Sequence, residues 1–107
     1  MQTSLKFMRA TATKDIYIDP KQTRVAIITC GGIVPGMNVV IRNIVHCLET
    51  EYGVADIHGV KYGFQGLCQN LDEFHVKLTA DSVKGIHYHG GSILGTCKAV
   101  WDTEKIL

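Results

Sequence analysis

The stretch VAIITCGGIVPGMNVVIRNIV, residues 25–45, decides how the chain folds. Val25 to Cys30 run without alternation, the pattern of a strand covered on both faces in a parallel sheet. Gly31 and Gly32 then release the chain, and from Met37 onward the apolar residues recur at helical spacing. Met37, Val40, Ile41, Ile44, Val45 and Leu48 make one stripe, with Arg42, Asn43, His46, Glu49 and Thr50 opposite. The helix should end near Tyr52-Gly53, where glycine takes the left-handed terminal conformation. Asp56 to Val60 then reads as a second strand. Strand, crossover helix and strand within about 35 residues form one right-handed βαβ unit.

Outward from that unit the pattern weakens. Upstream, Ile16-Tyr17-Ile18 is long enough only for a short edge strand, and Asp19-Pro20-Lys21 reads as a turn. Downstream, Tyr62-Gly63-Phe64-Gln65-Gly66 reads as a loop. Leu78 to Ser82 opens a short helix carrying Val83 and Ile86, with Thr79 or Asp81 as its cap. His89-Gly90-Gly91 ends that helix, and Ser92-Ile93-Leu94-Gly95 is expected as a third strand. The fold class is therefore α/β: an incomplete parallel-sheet, Rossmann-like three-layer domain, of which the chain supplies the opening βαβ portion. Residues 1–23 are expected to form an N-terminal arm and the short edge strand, and residues 24–107 the domain portion. Three strands with one strong helix cannot cover both sheet faces, and the last strand keeps an open edge.

The composition narrows the function. The 107 residues are 46% hydrophobic with a net charge of +1, so nothing favours nucleic acid or an acidic membrane as partner. No apolar run approaches the ~18–20 residues that span a bilayer. Cys30, Cys47, Cys68 and Cys97 form no C-x-x-C pair and read as buried, reduced thiols. His87 and His89 lack a third ligand, so no metal site is expected. Lys6, Arg9 and Lys14, with no acid among the first fourteen residues, faintly suggest an organelle-targeting segment. An untethered arm suits this short, arginine-poor stretch better.

Gly31-Gly32 lies where a parallel strand releases the chain, at the sheet edge where α/β proteins bind ligands. Without Cβ atoms, glycines let a phosphate approach backbone amides, and the following helix adds unpaired N–H groups and partial positive charge. Pro35 suits a position that needs no amide donor, and Asn38 is placed to cap or contact a ligand. Taken alone, the glycine pair is better read as a tight turn serving only geometry. It is neither a Walker lysine loop nor a G-x-G-x-x-G dinucleotide loop. A second pair, Gly90-Gly91, raises the phosphate reading to equal standing if both turns meet at one edge beside Lys98.

TCGGIVPGMNVVIR (residues 29–42), GVKYGFQGL (residues 59–67) and GGSILGTCKAVWDTEKIL (residues 90–107) together resemble the start of a 6-phosphofructokinase, closest to the plant-type ATP-dependent branch. The resemblance runs from about Lys14 to the end and makes residues 24–107 the N-terminal part of that family's ATP-binding domain. It implies that Gly31 and Gly32 belong to the loop that meets the ATP phosphates. It also implies that Phe64 takes the place of an aromatic residue beside the nucleotide, and that Lys98 stands where the family has a phosphate-binding arginine. Arg42 matches a position that serves an allosteric site between subunits in bacterial members.

Several departures bear on activity. Lysine at position 98 keeps the charge but loses the two-pronged donor geometry of arginine. The family's S-R-G-G is here Cys97-Lys98-Ala99-Val100. The magnesium-binding G-G-D-G and the catalytic-base T-I-D-N-D motifs of the family do not occur in these 107 residues. The expected function is thus a fragment of the enzyme that phosphorylates fructose 6-phosphate with ATP. It would carry part of the ATP wall, hold no Mg2+ ligands, and be inactive alone. The alternative is a non-catalytic nucleotide-binding or subunit-association module, with full-length phosphofructokinase subunits as partners. An independent dinucleotide-binding domain fits worst, because the loop has the wrong glycine spacing. The expected location is the cytoplasm, with a plastid as the other setting.

Overall fold

The computed structural model describes residues 4–7, 9–10, 14–69 and 72–98. The βαβ unit forms as the periodicity predicts. Strand β1 (Arg24–Ile28) leads through helix α1 (Met37–Thr50) to strand β2 (Asp56–Val60). The two strands are parallel and in register from Arg24↔Asp56 to Ile28↔Val60. Helix α1 stops at Thr50, and the Val54 N–H closes back on the Leu48 carbonyl past Gly53, whose φ is +71°.

The third strand is not the expected one. Ser92–Gly95 forms a turn. The sheet is completed by β3 (His75–Lys77), antiparallel to β2 through Val60↔His75, Gly59↔Val76 and His58↔Lys77. The order β1-β2-β3 leaves β1 at an edge. The loop expected at 62–66 is also corrected: Gly63–Gln69 is a short helix, α2. Its glycines make an abrupt start possible, since a Cβ on Gly66 would stand 1.9 Å from the Lys61 carbonyl oxygen. Ile16-Tyr17-Ile18 is no strand; Asp19 caps a 3-10 turn at Pro20–Gln22, accepting from the Lys21 N–H. The helix expected after Leu78 shrinks to turns and a 3-10 helix at Ile86–Tyr88. Thr79 and Ser82 cap those turns reciprocally, each side chain accepting the other's N–H.

The core lies on one sheet face. Ile27 and Ile57 meet Ile41 and Val45 of α1, with Leu78, Val83, Ile86 and Leu94 closing the cluster. The expectation that β1 is buried on both faces fails: Ile27 alone is buried and Ala26 is exposed. On the opposite face α2 packs on β2, bringing Val60 within 3.2 Å of where a Gly66 Cβ would stand. The α1 stripe divides accordingly. Asn38, Ile41 and Val45 turn inward, while Val40 and Ile44 remain 57% and 39% exposed. An apolar groove of about 190 Å³ runs along this uncovered side, lined by Ile28, Val34, Met37, Val40 and Ile44.

Candidate functional site

Because β1 and β2 are parallel, both release the chain at one edge. Segment 29–36 follows β1 there, and Lys61-Tyr62-Gly63 follows β2. Segment 89–98 crosses the same edge and is tied to both. The Gly31 N–H donates to the Cys97 carbonyl at 3.2 Å, and the Tyr62 N–H donates to the Leu94 carbonyl at 2.8 Å. The Thr29 hydroxyl donates to the Gly95 carbonyl and lies 3.2 Å from Ser92 Oγ. The segment directly after the second glycine pair therefore meets the first glycine turn at one edge.

Asn38 accounts for much of this closure. It is only 3% exposed, and it spends both ends of its amide on the crossing segment. Nδ2 donates to the His89 carbonyl at 3.0 Å, while Oδ1 accepts the Ile93 N–H at 2.8 Å. The sequence reading placed Asn38 as a cap or ligand contact; the structure makes it a strut between α1 and 89–93. Helix α1 is instead preceded by Gly36, which supplies no side-chain cap bond, and its first turn holds no acid.

Of the four residues singled out, the structure brings Gly31, Gly32 and Lys98 together. Lys98 Cε lies 3.8 Å from where a Gly32 Cβ would stand, so the lysine chain runs beside that glycine. Gly31 adopts φ +84°, and its N–H is already given to Cys97. Its contribution is loop shape. Phe64 is half-buried in the first turn of α2, directly after Gly63. Gly63 was not singled out from the sequence. A Cβ there would stand 3.1 Å from the Thr29 carbonyl oxygen, 3.3 Å from Cys97 N and 3.4 Å from Cys30 Sγ. At φ +60°, a glycine lets the three segments come this close. A glycine three residues past a strand's carboxyl end was the available signal.

The exposed ends of the site are chemically one-sided. Neither α1 nor α2 carries an acid in its first turn. The nearest carboxylate on these two strands, Asp56, lies at the start of β2, paired with Arg24 at 2.8 Å and His58 at 2.5 Å. A lysine, glycine amides and a capless helix start suit an anion. Among the described residues no three His, Cys, Asp or Glu side chains converge. Cys30 is exposed and the other cysteines are half-buried, which corrects the expectation of buried thiols.

Fold and edge define an α/β portion in which one βαβ unit gathers glycine-rich turns at the carboxyl end of a parallel strand pair. Residues 24–106 match the family described as phosphofructokinase, and the chain belongs to that family. It is 45% identical over 89 residues to an ATP-dependent 6-phosphofructokinase of Entamoeba histolytica, covering 83% of this chain and 20% of that protein. It is 43% identical over 99 residues to the chloroplastic ATP-dependent 6-phosphofructokinase 5 of Arabidopsis thaliana, covering 92% of this chain and 18% of that one. The chain thus spans about a fifth of the length of the curated relatives it matches. Among solved structures it superposes on phosphofructokinase from Saccharomyces cerevisiae with a TM-score of 0.65 at 29% identity, covering 74% of this chain and 10% of that one.

Proposed function

We propose that this chain supplies one wall of the ATP-phosphate site of an ATP-dependent 6-phosphofructokinase of the plant-type branch. In this reading Gly32 presents its backbone amide and Lys98 its ammonium to the phosphates. Gly31 holds the loop in its left-handed turn, and Phe64 stands beside the nucleotide. The observation that carries the reading is the closure of 29–36 onto 94–98, with Lys98 running along Gly32. A compact cation beside a bare backbone amide is complementary to phosphate oxygens. In the complete enzyme Mg2+ would neutralise phosphate charge as the phosphoryl group passes to fructose 6-phosphate. No step of that transfer is assigned to these residues, because neither a metal-binding carboxylate cluster nor the family's base motif is among them. The chain alone should bind ATP without turning over. The setting is cytoplasmic, or a plastid.

Calorimetric titration of the purified chain with ATP and with adenosine, beside a coupled assay for fructose 6-phosphate phosphorylation, tests this. Measurable binding of ATP but not adenosine, with no turnover, is expected. Equal binding of the two would refute the phosphate wall, and turnover would refute the inactive fragment. A second reading, a subunit-association module, is favoured by a separate observation: the exposed Val34, Val40 and Ile44 beside the open edge of β1. Co-purification with a complete phosphofructokinase subunit, lost on Val40→Lys and kept on Lys98→Ala, would distinguish it.

A further inference from the structure

We propose that Cys30 and Cys97 form a reversible disulfide, a modification site that ties the Gly31-Gly32 loop covalently to the segment carrying Lys98. The two residues lie on the two segments that meet at the seam of the site. The peptide N–H that follows Cys30 donates to the carbonyl of Cys97 at 3.2 Å. That bond holds the backbones carrying the two cysteines side by side, as the ~4.4–6.8 Å Cα separation of a disulfide requires. Both side chains turn towards the first turn of α2. Cys30 Sγ lies 3.4 Å and Cys97 N 3.3 Å from the same point, the missing Cβ of Gly63, and Cys97 Sγ donates to Gln65 Oε1 at 3.5 Å. Gly63 keeps that space clear, and Cys30 is exposed to an incoming oxidant.

The remaining thiols are poorer candidates. Cys47 on α1 donates to Glu51 Oε2 at 3.6 Å, and partial burial followed by the Glu51 charge pushes its pKa up, so less of it is thiolate. Cys68 lies beyond the first turn of α2 and is half-buried.

The co-reactant is a small-molecule disulfide of the glutathione class. Cys30 loses its proton to water, and its thiolate attacks one sulfur, breaking the S–S bond, forming a mixed disulfide and expelling one small thiolate. Cys97, deprotonated in turn, attacks the Cys30 sulfur and expels the second. The protein loses two electrons and two protons; the small disulfide gains them as two thiols. Bond formation does not depend on nucleotide binding, and only its consequence for ATP rests on the function proposed above.

The test incubates the full 107-residue chain with glutathione disulfide, in native buffer and in urea, then alkylates and maps the peptides by mass spectrometry. Native oxidation should reduce the alkylatable thiols from the four cysteines to two. It should join the Cys30 peptide to the Cys97 peptide, and reduced glutathione should reverse it. Cys97→Ser should instead leave Cys30 as a glutathione adduct. A native pattern equal to that in urea, a bond involving Cys47 or Cys68, a stable adduct on wild-type Cys30, or no reaction would each overturn the proposal.

Discussion

Lys98 shows how much one side chain can decide at this edge. Its Cε runs beside Gly32, so the charge is delivered where the bare amide is, but an ammonium offers a point charge where a guanidinium offers a planar fork. On the proposed phosphate wall, Lys98→Arg should tighten ATP binding several-fold, and Lys98→Ala should weaken it about five- to tenfold. The latter corresponds to ~1–1.4 kcal/mol for a solvent-exposed charge-assisted bond. Calorimetric titration reads both, and unchanged affinity in both would place Lys98 among ordinary surface lysines. Asp56 acts on stability instead. Its carboxyl is held below the ordinary value of 3.8 by the hydrogen bond from His58, and further by the charges of His58, Arg24 and Lys77, against a partial desolvation that raises it. The folded chain therefore binds this proton less readily than the unfolded chain does. The stabilisation is whole above the ordinary carboxylate pKa and is lost as pH falls through the lowered one. Urea midpoints should fall as pH drops below about 5 and through the lowered pKa, and Asp56→Asn should flatten that slope. An unchanged slope in the variant would exclude Asp56 as its source.

Among the elements, helix α1 reaches the 89–93 segment through one amide, that of Asn38. Asn38→Ala removes two hydrogen bonds and leaves the Ile93 N–H without its acceptor at a part-buried position. Such a loss costs about 2–3 kcal/mol. The effect should be local as well as global. Hydrogen exchange at Ile93 should quicken more than at Ile57 in the core strand, and equal acceleration would mean that Asn38 supports the fold without tethering this segment. Elements of this kind were unevenly legible in the sequence. The βαβ unit was readable because α1 carries its period over 14 residues and β2 is bounded by turn residues on both sides. The β3 strand was not, since three residues, His75 to Lys77, carry no periodicity and exist as a strand only through pairing with β2. Ser92–Gly95 looked like a strand because Ile93 and Leu94 are apolar. Leu94 does enter the core, but Tyr62 and Asn38 capture the backbone bonds that a ladder would need. The glycines of α2 were read as loop formers when their service is close approach. Within the site, the nearness of Lys98 to Gly32 was legible only as a condition, that two glycine turns meet at one edge, and as what the family resemblance implies. The use of the Gly31 amide on Cys97 is a contact between residues 66 positions apart, which no local pattern encodes.

At the scale of the whole molecule, one face is a core and the other is unfinished. Residues 25, 27 and 57 point towards α1 and the 78–94 segment, whereas Ala26 and Ile28 face outward beside β1's unpaired edge. Val40 and Ile44 extend that apolar surface across α1, and Val34 and Met37 join them along the groove. A surface of this kind is stable in water only when covered, and an open parallel edge beside it invites pairing. The same stripe that specified α1 in the sequence is thus wider than this fold can bury, as expected where the matching relatives are about four to five times as long. The isolated chain should accordingly self-associate at micromolar concentration. Replacing Val40 and Ile44 by lysine and glutamate, at positions one turn apart on the exposed side, should shift sedimentation towards the monomer. It should leave the thermal midpoint within a few degrees, because neither side chain contributes to the buried cluster. The paired charges also favour one another at this spacing. If the double variant stays associated, the contact runs through β1's edge and not through the apolar side of α1.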